Sequence, residues 1–554
     1  MSRGARALRA IGTALAGMLL LAGCGGIPTA GPVVAGPAAD ELDPEFVVSP
    51  NGPVAGADPT GILNGFMQAV RAPQADYQVA RQFLTPQLAQ TWDPNAGVAI
   101  RSGAPELTLT GTGSAPRIVY AFPSAAAVDS AGRYRAVGTP GTRSLEFSFA
   151  QVGGEWRISA APNVVVLGEA SFARAFAQYA LYFFDPSGRY LVPDVRWFAA
   201  RSSTPSAVVS ALLGGPDDWL RHSVVTDFPV GTTLGPRSVV VAGGRATVDL
   251  SSQAAVASPV ELDRMHQQLV ASLDVADVTI LADGVPLRVD PVGAPAEIDP
   301  SASGPVLVGT ASDFGHAGAD GIVSIPGLSS AVVAADTVAA TVAADQRSAA
   351  LLGADGVVRR ATAEGASPVD ERGGLVAPSL DGFGWIWSAG VGSPLEAFDA
   401  NGGAAGLASS AIPADASVVA LAVSRDSTRL VVGLSSPAGP RLLVLGIVRV
   451  DGVPTALDPP LELPVTGPIA SVAWVDSRSL VVVSDATDGR TAQIVGLGAP
   501  GSSLGPLPAD AVAVGGRGGA GGVRVLADGV VLAPGGNDGW TDTGITAVYL
   551  GVQQ

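Results

Sequence analysis

The sequence predicts a multidomain protein in which two α+β modules precede an all-β propeller. Three observations carry that reading. Apolar residues at helical spacing occur only before about residue 300. Beyond it the chain is rich in Val, Ala and Gly, and short strand-like runs recur with turn signals between them. Five of those runs share one pattern, starting at residues 341, 376, 421, 472 and 512, a spacing that fits propeller blades of about 40–50 residues.

Composition narrows the possibilities further. Of 554 residues, 47% are hydrophobic and 15% charged, so the chain is globular and not disordered. Its formal net charge is −17, and all 32 basic residues are arginine. An acidic chain argues against nucleic-acid binding, which needs clustered positive charge, and against a polybasic contact with a membrane. A Walker A loop is excluded because there is no lysine.

The N-terminus has three zones. Arg3, Arg6 and Arg9 form a positive segment, residues 10–21 an apolar one, and Leu21-Ala22-Gly23-Cys24 follows. This is the layout of a secretory signal peptide over residues 1–23. The apolar zone is shorter than the roughly 20 residues that span a bilayer. The Leu-Ala-Gly-Cys run resembles a bacterial lipobox. That resemblance implies cleavage between Gly23 and Cys24, with Cys24 becoming an S-diacylglycerol and N-palmitoyl cysteine. Cys24 is the only cysteine, so the cleaved chain has no disulfide. The expected location is the cell membrane, lipid-anchored on the extracellular side. Residues 24–57, rich in Pro, Gly and Ala, read as a lipidated tether with a reach of roughly 30 Å, a docked arm being the alternative.

Residues 58–168 read as an α+β domain. Asp58-Pro59 opens a helix with Ile62, Leu63, Phe66 and Val70 on one face, and a second helix carries Val79, Phe83 and Leu84. Strand-like runs follow, the last with a hairpin at Gly153-Gly154. Helices followed by a meander suggest a small cone-like fold of the NTF2-like kind. Residues 169–192 form an aromatic bridge (Phe172, Phe176, Tyr179, Tyr182, Phe183, Phe184). It reads as a helix and strand packed between two domains, with a ligand-stacking surface as the alternative.

Residues 193–290 give a sharper pattern. Thr204-Pro205 opens a helix that stops at Gly214-Gly215-Pro216. Two strands flank Gly243-Gly244, a helix carries Met265, Leu269 and Leu273, and a strand ends at Asp283-Gly284. The order resembles the GerMN domain of spore-germination lipoproteins. The residues that carry it are Leu212 with Gly215-Pro216, Phe228-Pro229-Val230-Gly231-Thr232, Val248-Asp249-Leu250-Ser251 and Asp283-Gly284. That domain brings no established catalytic residues.

Residues 300–554 are the expected propeller of five or six blades. In three of the repeats an apolar pair leads into a turn holding Asp381, Asp426 or Asp476, and then into a second strand. Asp345 marks a weaker copy, and the copy at 512 lacks the acid. The aspartates read as turn-formers rather than metal ligands.

No catalytic or metal site emerges, and no cofactor is expected. His222, His266 and His316 are not spaced as zinc ligands. Gly501-Ser502-Ser503-Leu504-Gly505 matches a nucleophile elbow, but Pro506 and Pro508 follow it and every histidine lies upstream. Gly516-Arg517-Gly518-Gly519-Ala520-Gly521 matches a dinucleotide fingerprint but leads into a strand, not a helix.

The lipobox, the IPTAGPV run after it, LYFFDPSGRYLVPDVRWF (181–198), the GerMN-like region and the terminal propeller, in this order, resemble the LpqB lipoprotein family of actinobacteria. The resemblance implies a non-enzymatic accessory of the MtrA–MtrB two-component system, acting on the extracellular part of the MtrB sensor kinase in envelope homeostasis and division. A cell-wall glycan or peptide ligand is the alternative.

Overall fold

The computed structural model describes residues 50–554 except 112–114, 237–238, 303, 408–410 and 537–538. Cys24, the expected signal peptide and the expected tether up to residue 49 lie outside the described residues. The last residues read as tether, 50–57, rest on the body: the Gly56 amide donates to Glu155 Oε2 at 2.9 Å.

The N-terminal module begins with helix Pro59–Ala69, capped by Asp58, whose Oδ1 accepts from the Gly61 amide at 2.7 Å. Its buried face is Ile62, Leu63, Phe66, Met67 and Ala69. The second expected helix is shorter than its pattern. It runs only over Gln78–Arg81, because Ala75, Asp76 and Tyr77 adopt left-handed backbone angles, and Phe83 and Leu84 lie beyond its end. Strands Glu155–Ala160, Tyr134–Val152, Arg117–Asp129, Gly97–Arg101 and Val165–Gly168 then lie side by side in that order. All pair antiparallel except Gly97–Arg101 with Val165–Gly168. The helices cover this sheet around Phe66, Trp92 and Phe147.

The aromatic bridge splits between two cores. Helix Glu169–Ala175 and Phe176 pack into the N-terminal module. Strand Phe176–Phe184 pairs along its length with Tyr190–Ala199 and gives Leu181 and Phe183 to the central module. With Phe172, Tyr182, Phe183 and Phe184 all buried, the bridge is core and not a stacking surface.

The central module has the expected elements. Helices Thr204–Leu213 and Pro259–Leu273 pack together, and Met265 and Leu269 are fully buried. Pro259–Leu273 connects the parallel strands Arg245–Leu250 and Asp277–Ala282. The two-residue turn Asp283-Gly284, both residues with positive φ, then reverses the chain into Val285–Pro286.

Among the described residues the strands beyond residue 300 group into six blades around an axis. Blade one is Thr337–Val342, Ala349–Gly353, Val358–Thr362 and Gly365–Asp370. Blade two, Ser379–Leu380, Ile386–Gly390 and Ser393–Phe398, is completed by a bridge between Phe398 and Ala404. Blades three, four and five have innermost strands Ser417–Val423, Ile469–Asp476 and Ala513–Gly515. Blade six is composite. Its innermost strand, Tyr549–Gln553, pairs antiparallel with Leu307–Gly309, and Phe314–Gly318 and Gly321–Ser324 lie outside that strand. The same Tyr549–Gln553 pairs parallel with Thr337–Val342 of blade one, so strands more than 200 residues apart close the ring. Closure leaves no free inner edge, and apolar residues between neighbouring blades form separate clusters around the ring. One departure from an all-strand region is the short helix Ser329–Ala334, which seals one of these clusters with Ala331 and Val332.

All three modules belong to one compact unit, residues Pro50–Gln554. Leu181, Phe183 and Trp219 of the central module share one apolar cluster with Leu442, Val444 and Leu461 of blade three and Leu480 of blade four. Three polar contacts fix the same junction. Trp197 Nε1 donates to the Gly498 carbonyl at 2.8 Å, and the Ser477 amide donates to Asp299 Oδ1 at 2.6 Å. His222 Nδ1 lies 2.7 Å from Asp458 Oδ1. Ser477 and Gly498 sit in turns that leave the first and third strands of blade four, and Asp458 follows the outer strand Val453–Leu457 of blade three, so the central module docks on blades three and four at the face where those turns lie.

Candidate functional site

A cleft of about 640 Å³ lies between the N-terminal and central modules. Strand Tyr190–Ala199 places Asp194 and Arg196 two residues apart, on one face of the sheet, and both side chains are buried. Arg196 Nε donates to Asp194 Oδ1 at 3.0 Å, Nη2 to Oδ2 at 2.6 Å, and Nη1 to the Ala131 carbonyl at 3.0 Å. Asp194 Oδ2 also accepts from the Asp217 amide at 2.8 Å. Asp217 in turn meets Arg133 at 2.9 Å and Arg135 at 2.5 Å, both from the N-terminal module. Burial pushes the Asp217 carboxyl up, but its bonds to Arg135 and the nearby arginines outweigh that and hold it below the usual range. Burial pulls Arg196 down, and Asp194 more than compensates, so its guanidinium stays charged. Each charge is satisfied by another, which makes this network a weld between modules rather than an acid–base pair. Gly132 belongs to the weld: at φ +80° it brings its carbonyl to the Trp197 amide at 2.8 Å, and a Cβ there would lie 2.9 Å from the Trp197 carbonyl.

Above the weld the cleft presents Asn95, Arg201, Ser203, Ser206 and Ser210. These hydroxyl, amide and guanidinium groups can hydrogen-bond a polar ligand and offer no nucleophile–base pair. A narrower cavity of about 120 Å³ follows the propeller axis, lined by the innermost strands of all six blades.

The residues singled out in the sequence fall in separate places. His222 is at the module junction, His266 Nε2 pairs with Asp277 at 3.0 Å, and His316 Nδ1 lies 2.9 Å from the Pro305 carbonyl. Among the described residues no three His, Cys, Asp or Glu side chains converge as a metal site. Ser502 and Ser503 lie in the outer strand Ser502–Leu507 of blade four, with no helix behind them. The glycine-rich 516–521 run is the turn between the first two strands of blade five. Asp345, Asp381, Asp426 and Asp476 occupy the equivalent turn in blades one to four. Each accepts from a backbone amide two residues on, the geometry that shapes a turn.

Comparison with known proteins follows this modular division. The family model described as "Lipoprotein LpqB, N-terminal domain" matches residues 52–173, "Sporulation and spore germination" matches 180–288, and "Lipoprotein LpqB beta-propeller domain" matches 314–546. The chain belongs to the LpqB lipoprotein family. Curated relatives named Lipoprotein LpqB include those of Cutibacterium acnes (32% identical over 261 residues, 47% of this chain and 43% of the relative) and Nocardia farcinica (31% over 285 residues, 49% and 46%). The relative in Thermobifida fusca is 29% identical over 283 residues, 48% of this chain and 45% of the relative. The chain thus spans less than half the length of these relatives. Among solved structures, the tandem GerMN domains of the sporulation protein GerM from Bacillus subtilis align at 19% identity and TM-score 0.18, covering 24% of this chain and 56% of that one. A chain of a nidogen/laminin complex aligns at 13% identity and TM-score 0.30, covering 41% and 87%.

Members of the family are lipoproteins, and no described helix is long and apolar enough to cross a membrane. The Asp194–Arg196–Asp217 weld was not recognised in the sequence. Its signal was present in LVPDVRWF, where two opposite charges sit on one face of an otherwise apolar strand.

Proposed function

We propose that this protein is an extracytoplasmic accessory lipoprotein, held to the cell membrane by lipid on Cys24, that modulates an MtrB-like sensor kinase in envelope homeostasis and division. The observation that supports this reading most is the joining of three modules into one compact unit. A partner bound at any module meets the whole body. Tethering confines that body near a membrane receptor and raises its effective concentration, so a weak contact is sufficient. The family resemblance supplies the kinase as the partner. A second reading has its own support: the 640 Å³ cleft with its serines, Asn95 and Arg201 suits a cell-wall glycan or peptide. The test is a pull-down with the cleaved, unlipidated body, offering kinase ectodomain and peptidoglycan in parallel. Capture of the ectodomain supports the first reading. Retention on peptidoglycan alone favours the second.

A further inference from the structure

A second cavity, about 380 Å³, opens on the docking face of the propeller where blades five and six meet. Three arginines line it, Arg425, Arg517 and Arg524, and no carboxylate does. That inverts the balance of a chain with 49 acidic and 32 basic residues. None of the three forms an ion pair with a described residue, although most ion pairs among the described residues are made by arginine. Arg425 is the most telling. One end of its guanidinium donates to the Gly516 carbonyl at 2.7 Å, while Nε is buried with no hydrogen-bond partner. Burial weighs on its charge, and Arg517 adds repulsion against a pull from Asp299 and Asp476. A buried cation without a contacting anion is costly, and so are two cations facing one cavity. Val306, Leu307 and Ile545 give the wall an apolar part, beside the neutral polar side chains of Thr543 and Gln553.

We infer that this cavity is a binding site for a small oxyanion carried on an apolar group, a carboxylate or a phosphate. Guanidinium forks match both groups through paired N–H donors, and the volume lies within the range of small-ligand sites. The site is built partly by the connection from the central module. That segment leaves strand Glu297–Ile298, anchors Asp299 on Ser477, and supplies Pro305 and Val306 to the cavity wall. A ligand there would touch the join between the central module and the propeller. The inference stands independently of the kinase reading.

The test is calorimetric titration of the full chain in detergent with three probes: inorganic phosphate, acetyl-Ala-Ala, and acetyl-Ala-Ala amide. At least one charged probe should bind in the millimolar range or tighter, and added salt should weaken it. The neutral amide should bind at least about tenfold more weakly than the free acid if the carboxylate is the recognised group. Binding of phosphate without the peptide assigns the site to phosphate. Arg517→Gln removes a guanidinium that makes no side-chain hydrogen bond to a described residue, and should weaken the charged probe about tenfold. Arg524→Gln serves as a second variant, and circular dichroism checks the fold of both. The inference fails if neither charged probe binds, if binding ignores salt, or if both folded variants bind like the parent chain.

Discussion

Replacing Asp426 with alanine should cost the propeller about 3–5 kcal/mol, because it strands a buried guanidinium. Asp426 and Arg429 are an ion pair with side chains 1% and 0% exposed. The carboxylate also accepts from Ser424 Oγ at 2.6 Å, from the Thr428 amide at 3.0 Å and from the Thr428 hydroxyl. Arg429 reaches on to the Ser477 carbonyl of blade four at 2.5 Å and lies 4.8 Å over the Trp474 ring. Its remaining bonds cannot replace the lost charge. Removing both partners, as Asp426→Leu with Arg429→Met, should cost within about 1 kcal/mol, since apolar replacement of a whole buried pair is often neutral. The two sites should therefore couple by at least about 2 kcal/mol. Urea unfolding of the full chain gives the free energies, and amide exchange over residues 421–435 localises the loss to blade three. A single variant losing under about 1 kcal/mol, or a double variant as unstable as the single, would refute the reasoning. The same carboxyl carries a pH signature. Burial pushes it up, but Arg429, Ser424 and Thr428 outweigh burial and hold it below the ordinary aspartate value. Its contribution is therefore fully present above about pH 4, the unfolded value, and is lost as pH falls through the lower folded value.

Cys24→Ala should abolish the lipid mass and detergent partitioning, and with them any kinase output that depends on tethering; intact mass and a reporter of the kinase check both. Asp217→Ala should loosen the N-terminal module from the central one, seen as faster proteolysis near residues 129–135 with the propeller unchanged. Gly446→Val should undock the central module from blade three, because even a Cβ there would lie 2.2 Å from Ser223 Oγ and 2.7 Å from the Trp219 carbonyl. Overpacking of this kind costs about 1–3 kcal/mol, and amide exchange over residues 217–224 would report it.

Most strands and helices of this chain are readable because they obey local rules. Asp58-Pro59 opens a helix since a carboxylate caps amides three residues on, and Asp283-Gly284 turns a hairpin since both residues tolerate positive φ. The repeated turn aspartates revealed the blades for the same reason: Asp381, Asp426 and Asp476 serve amides two residues away. The short second helix was misjudged because its apolar spacing is helical, while packing of Tyr77 against Trp92 accompanies a left-handed kink that spacing does not encode. The proposed lipid anchor at Cys24 rests on residues 1–24, the positive zone, the apolar zone and Leu21-Ala22-Gly23-Cys24, a linear pattern that needs no folding to be recognised.

What only the tertiary structure decided are the contacts between distant segments. Periodicity left the blade number at five or six, because blade six is assembled from both ends of the region, Leu307–Gly309 and Tyr549–Gln553, and carries no complete repeat. The arginine-lined cavity draws on residues from 302 to 553, and the weld at Asp217 on residues from 131 to 217. Local patterning fixes which face of an element is apolar. Which charged residue meets which across the join depends on how those faces close, and side chains brought together by closure leave no common period along the chain.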